Sequence, residues 1–109
     1  MSFLTYNFFH IVRLGDLELL RLFLNYSINV KVKDDQNRNA LFYLLESNND
    51  NDEIIELLVR KGVPLEEKER KEGQTPLTLS AKKMMWKCFK ALVNLGANVN
   101  HRDDKNGIY

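Results

Sequence analysis

Apolar residues recur at one-face helical spacing in three stretches of the chain. Leu17, Leu19, Leu20, Phe23 and Leu24 form the first, Ile54, Ile55, Leu57, Leu58 and Val59 the second, and Phe89, Leu92 and Val93 the third. Each is followed by turn-forming residues: Asn25-Tyr26-Ser27, Lys61-Gly62 and Leu95-Gly96. A shorter apolar segment precedes each one, at Phe8–Val12, Ala40–Leu45 and Pro76–Ala81. The pattern predicts short helices near 5–13, 39–47 and 75–83, longer helices near 17–25, 52–60 and 86–94, and polar loops between them. Set in register, Ser27, Gly62 and Gly96 lie 35 and 34 residues apart (62 − 27 and 96 − 62). A helix–turn–helix unit followed by a β-turn loop therefore recurs at a nearly fixed period, which is the signature of a repeat architecture.

The residue chemistry at the junctions agrees. Thr75 suits a helix N-cap, with Pro76 in the first turn, where a missing N–H removes no hydrogen bond. Gly62 and Gly96 suit the left-handed residue that ends a helix. The third copy reads Gly73-Gln74-Thr75-Pro76-Leu77-Thr78 and later Gly96-Ala97-Asn98-Val99-Asn100. These two blocks, ungapped and at the right distance, resemble the ankyrin-repeat family, whose pattern is Gly-x-Thr-Pro-Leu-His and then Gly-Ala-x-Val-Asn. The resemblance implies an all-α solenoid of stacked helix-turn-helix units joined by β-turn loops. It divides the chain into repeats at about 1–33, 34–69 and 70–103, with 104–109 as the start of a fourth. The first helix of each unit is then the inner one and the second the outer one.

The departures from that pattern carry information. Asn37 and Asn39 stand where the family has Gly and Thr; Asn tolerates left-handed backbone and also caps helices. Repeat 2 has an acidic, Asn-rich insert, Asn48-Asn49-Asp50-Asn51-Asp52, and its following loop is longer by one residue. Repeat 1 has Tyr6-Asn7-Phe8-Phe9 in place of Thr-Pro-Leu-His. Met84-Met85 replaces the usual Gly-His between the third pair of helices, so that turn is expected to be helical or strained.

Composition narrows the function. The 109 residues are 44% apolar and 28% charged, with net charge +1, which fits one soluble globular domain and gives no long-range pull toward nucleic acid or an anionic membrane. Met1–Val12 contains Ser, Thr, Asn and His and lacks a basic start, so it is not read as a signal peptide. No apolar run reaches the roughly 18–20 residues of a membrane helix, and no membrane insertion is expected. One cysteine precludes an internal disulfide and a Cys-based zinc site and fits a cytoplasmic or nuclear setting. His10 and His101 lie far apart and Cys88 falls at a core position, so no catalytic constellation, metal site or cofactor is assigned. Asp50, Asp52 and Glu53 lack the spacing and central Gly of a calcium loop and are read as a solvated loop. Lys82, Lys83, Lys87 and Lys90 interleave with Trp86 and Phe89, but Phe89 is read as core and Trp86 as packed between outer helices. No nucleic acid is expected.

Protein–protein recognition is the function that the resemblance implies, through the hairpin tips and the concave inner-helix face. By register, the contact residues are Arg13, Leu14 and Tyr26 in repeat 1; Asp35, Gln36, Arg38, Glu46, Ser47 and Lys61 in repeat 2; and Lys71, Glu72, Gln74, Lys82, Lys83 and Leu95 in repeat 3. The alternating run from Glu66 to Glu72 reads as a solvated hairpin tip or a partner contact. Asn100, eight residues after Leu92, resembles an acceptor for asparaginyl hydroxylation. A viral or cellular ankyrin-type inhibitor that occludes its target is the alternative within binding, prompted by twelve Asn and ten Lys; an enzyme with an unrecognised site is the rival from another class. The terminal Asp104–Tyr109 reads as a cut fourth repeat. That reading expects an uncovered patch around Leu79, Phe89 and Val93 and weak self-association through the third repeat.

Overall fold

The computed structural model describes residues 1–100, so the expected fourth-repeat segment and His101 lie outside the described residues. Among those residues there are six α-helices and no strand: α1 (Phe3–Leu14), α2 (Leu17–Leu24), α3 (Ala40–Glu46), α4 (Asp52–Arg60), α5 (Pro76–Lys82) and α6 (Trp86–Asn94). Each begins and ends within two residues of its predicted bounds. Inner helices α1, α3 and α5 pack in succession, each inner helix packs on its outer partner, and α4 packs on α6. The core fills the space between the two rows.

Side-chain caps start five of the helices. The Ser2 hydroxyl accepts from the Thr5 amide at 3.1 Å, and Asp16 accepts from Leu19 at 3.0 Å. Asn39 accepts from Leu41, and Asn51 from Ile54. Thr75 and Thr78 form a reciprocal capping box, with Pro76 in the first turn. Such caps contribute about 1 kcal/mol each. The outer helices α4 and α6 end alike. Gly62 (φ 110°) and Gly96 (φ 104°) are left-handed, and the next amides, of Val63 and Ala97, reach back to the carbonyls of Leu58 and Leu92. Those two residues are buried, which completes the helix stop.

All three inner-to-outer turns need one left-handed residue: Gly15 (φ 71°), Asn48 (φ 60°) and Met84 (φ 58°). Glycine is at ease there, Asn tolerates it, and Met is strained by about 1–2 kcal/mol. Of the two expectations for the Met84 turn, strain is the one observed, with the Met84 side chain left in solvent.

Two expectations are corrected. The insert of repeat 2 is not a freely solvated loop. Asp50 reaches across to the start of α6, where Oδ2 accepts from the Lys87 amide at 3.1 Å and Oδ1 from the Cys88 amide at 2.8 Å. Helix α6 has no side-chain cap of its own, because Met85 occupies the cap position. Burial pushes the Asp50 carboxyl up, but the amides of Cys88 and Lys87 outweigh it and hold the group below the usual carboxylate range. Asn49 lies against Gly15, where a Cβ would meet its Nδ2, so the insert touches the units on both sides.

The second correction concerns the register of α6. Its buried residues are Cys88, Ala91 and Leu92. Phe89 is only half-buried against the core, and Val93 is 36% exposed. Trp86 does not pack between outer helices: it is 52% exposed and meets Phe89 edge-on, with centroids 6.1 Å apart. Helix α6 packs on both α4 and α5, and the side it buries there is that of Cys88, Ala91 and Leu92, with the wider Phe89 only partly covered.

Candidate functional site

Two loop tips frame the inner-helix face, and each is folded by one acidic side chain. Asp34 Oδ1 accepts from the amides of Gln36 and Arg38, both at 2.9 Å. One unit later, the Glu69 carboxylate accepts from the amides of Glu72 and Gln74, with distances of 2.6 and 3.1 Å. Asn37 and Gly73 take the left-handed position in each tip, so Asn37 does replace the glycine. The tips are joined: the Arg70 amide donates to the Gln36 carbonyl at 2.9 Å, and Asn37 Nδ2 to the Lys68 carbonyl at 2.8 Å. Asn39, fully buried, ties α3 to the next loop through the Pro64 carbonyl and Glu67.

Between these tips and helices α3 and α5 lies an open groove of about 480 Å³. Gln36 and Arg38 line it from the first tip, and Glu69, Lys71, Glu72 and Gln74 from the second. Glu46 from α3, Leu79 and Lys82 from α5, and Lys83 just beyond α5 complete it. Arg38 organises one wall. Its Nε donates to Asp34 Oδ2 at 2.8 Å and its Nη1 to Glu46 Oε2 at 3.1 Å. Burial alone lowers the Arg38 pKa, but Asp34 and Glu46 outweigh it and raise it. The opposite wall carries Lys82, 3.5 Å from Glu72. At its base, Lys83 Nζ donates to the Leu45 carbonyl at 2.9 Å.

Tyr43 connects this groove to the first unit. Its hydroxyl donates to Asp34 Oδ2 at 2.7 Å. Phe9 stacks on its ring at 4.1 Å between centroids, and the guanidiniums of Arg13 and Arg38 lie over the ring at 5.1 and 5.5 Å. Burial, reinforced by Asp34, pushes the Tyr43 hydroxyl up to about 12. Asp34 is also pushed up by burial, but the Arg38 amide, the Tyr43 hydroxyl and the Arg38 guanidinium bring its carboxyl below its ordinary value.

Eight of the fifteen sequence-predicted contact residues line the groove: Gln36, Arg38, Glu46, Lys71, Glu72, Gln74, Lys82 and Lys83. One of these is corrected in character, because Gln74 is 5% exposed and held inside the tip rather than displayed. Arg13 adjoins the groove through Tyr43, and Asp35 is exposed on the first tip. Leu14 is exposed at the end of α1, while Ser47 is half-buried and donates to the Leu44 carbonyl at the end of α3. Tyr26, Lys61 and Leu95 lie elsewhere, just beyond α2, α4 and α6; Tyr26 is exposed, whereas Leu95 packs partly against the core. Asn100 is exposed, its amide donates to Asn98 Oδ1 at 2.9 Å, and Leu92 is fully buried.

Sequence reasoning missed Asp34 and Tyr43, and read Glu69 only as a member of the Glu66–Glu72 run. Tyr43 sits inside the apolar run Ala40–Leu45 and reads as core, which it partly is. Its hydroxyl, nine residues past Asp34 in the tip, was the available signal.

The chemistry elsewhere is sparse. Burial pushes the Cys88 thiol up to about 12, with Asp50 and Asp52 adding to it. That is the opposite of a nucleophile's need. His10 is exposed and stacks on Tyr6. Among the described residues, no cluster of three His, Cys, Asp or Glu side chains suits a metal ion, and no helix is long and apolar enough to cross a membrane.

Three stacked helix pairs with loop tips edging an inner-helix groove define a helical repeat protein. The family model for ankyrin repeats, in three copies, matches residues 8–103, and the chain belongs to the ankyrin-repeat family. No curated protein matches it. Ankyrin repeats are generally protein–protein interaction modules and typically non-enzymatic.

Proposed function

We propose that this chain is a non-enzymatic recognition scaffold that binds one partner protein in the groove between its second and third repeats. Repeat bounds at about 1–33, 34–69 and 70–103 put one loop tip and one inner helix from each of these units on the groove. The observation that carries the reading is the convergence of eight register-predicted residues from separate tips and helices on one concavity. Its volume of about 480 Å³ suits side chains of a partner segment. Arg13 and Arg38, packed over the buried Tyr43 ring, supply the arginine chemistry that is enriched where binding energy concentrates at interfaces. Its buried free thiol suits an intracellular setting, cytoplasmic or nuclear.

Site-specific photo-crosslinking tests this. A photoreactive residue in place of Lys71 or Lys82 should capture the partner, and one in place of Lys90 on α6 should not. Capture from Lys90 alone would move the interface to the outer helices and overturn the reading.

A further inference from the structure

We infer that the groove selects an extended, acidic segment of its partner, one carrying carboxylates at both ends of the contact; this rests on the groove being the interface. The argument is charge complementarity. The acidic groups of the groove are already used. Glu69 is turned onto the backbone amides of its own tip, Glu46 is held by Arg38, and Glu72 by Lys82. The basic groups are not used to the same extent. Lys71 is exposed and makes no ion pair among the described residues. Lys83 gives one of its three N–H donors to the Leu45 carbonyl. Arg13 is exposed, and its guanidinium lies over the Tyr43 ring at 5.1 Å, a contact that is not an ion pair.

Donors are therefore offered at two places, exposed Arg13 beside Tyr43, just outside the groove, and Lys71 with Lys83 on its lining, where half-buried Leu79 also lies. Carboxylates match this arrangement: a guanidinium presents a bidentate fork and an ammonium a point charge. A basic segment would have to compete with Arg38 and Lys82 for Glu46 and Glu72. The surplus is local, because the whole chain has a net charge of +1, so the attraction is short-ranged and screened within about 10 Å at 0.1 M salt.

The test is an amide chemical-shift titration of the full chain with three synthetic ten-residue peptides, alternating Gly with Glu, Gln or Lys. Each is taken to about 1 mM, where weak contacts are visible. A single-stranded oligonucleotide is the fourth probe. The Glu peptide should shift Arg13, Arg38, Lys71 and Lys83, less so as salt rises. Lys71→Glu, which removes no internal pair, should weaken it by about tenfold. Shifts in the groove from the Gln or Lys peptide of equal size would overturn the acidic selectivity and leave the groove as interface. No shift from any peptide, or equal shifts from the oligonucleotide, would overturn the inference outright. Shifts centred on Trp86 would overturn both this inference and the proposed interface.

Discussion

Helices α4 and α6 occupy equivalent places one repeat apart, yet they are stabilised differently. Helix α4 takes its cap and end charges from its own segment. Asn51 caps it, Asp52 and Glu53 occupy its first turn and Arg60 its last, each matched to the helix dipole. It buries Ile54, Ile55 and Leu58. Helix α6 has none of these terminal charges and no cap of its own. In place of Ile54 it has Cys88, in place of Ile55 the half-buried Phe89, and its N-terminal amides are capped by Asp50 from the preceding unit. A repeat that looks incomplete in isolation is thus completed by its neighbour, as expected of a solenoid whose stability lies partly in the interfaces between units.

The largest test of this comparison lies in the α6 core. Leu92 is fully buried, so Leu92→Ala should cost about 3 kcal/mol, by analogy with other buried leucines. Phe89→Ala should cost about half as much, because part of that ring is already in water. Chemical denaturation of both variants decides it: equal losses would restore Phe89 to the core face and undo the observed register.

The next effect is at alkaline pH. The Cys88 thiol and Tyr43 hydroxyl are both raised to about 12 in the folded chain, against ordinary values of 9.0 and 10.0. Groups raised on folding stabilise fully below their unfolded pKa and lose that contribution as pH climbs through the folded value. Stability should therefore fall between about pH 9 and 12. Cys88→Ala should flatten the lower part of that fall in a pH series of melting curves. An unchanged slope would place the titration elsewhere.

Asp50→Ala should cost about 1–2 kcal/mol by leaving the amides of Lys87 and Cys88 unpaired. Hydrogen exchange should then quicken at the start of α6 and not in α4. The matching Asn51→Ala should do the reverse, and a loss spread evenly over both helices would contradict separate capping.

The smallest effect has the opposite sign. Met84→Gly relieves a left-handed methionine and should raise stability by about 1 kcal/mol, whereas Asn48→Gly should be near neutral. A melting temperature for Met84→Gly at or below that of the parent would mean the turn is not strained.

The sequence by itself determined the helices and their order. Their apolar spacing, caps and glycine stops are local, and local chemistry is enough to set them. It also carried the family, in Gly73–Thr78 and Gly96–Asn100, and much of the groove, because a repeat register places tip residues on one edge. Only the tertiary structure decided which face of α6 is buried. Phe89, Leu92 and Val93 fit helical spacing as well as Cys88, Ala91 and Leu92 do, and only the packing of α6 on α4 and α5 separates them. It alone gave Asp50 its role, since a cap supplied 37 residues away leaves no local pattern. It alone put Tyr43 between Phe9, Arg13, Arg38 and Asp34. Those groups come from different elements, and they meet because the stacked inner helices bring them to one face.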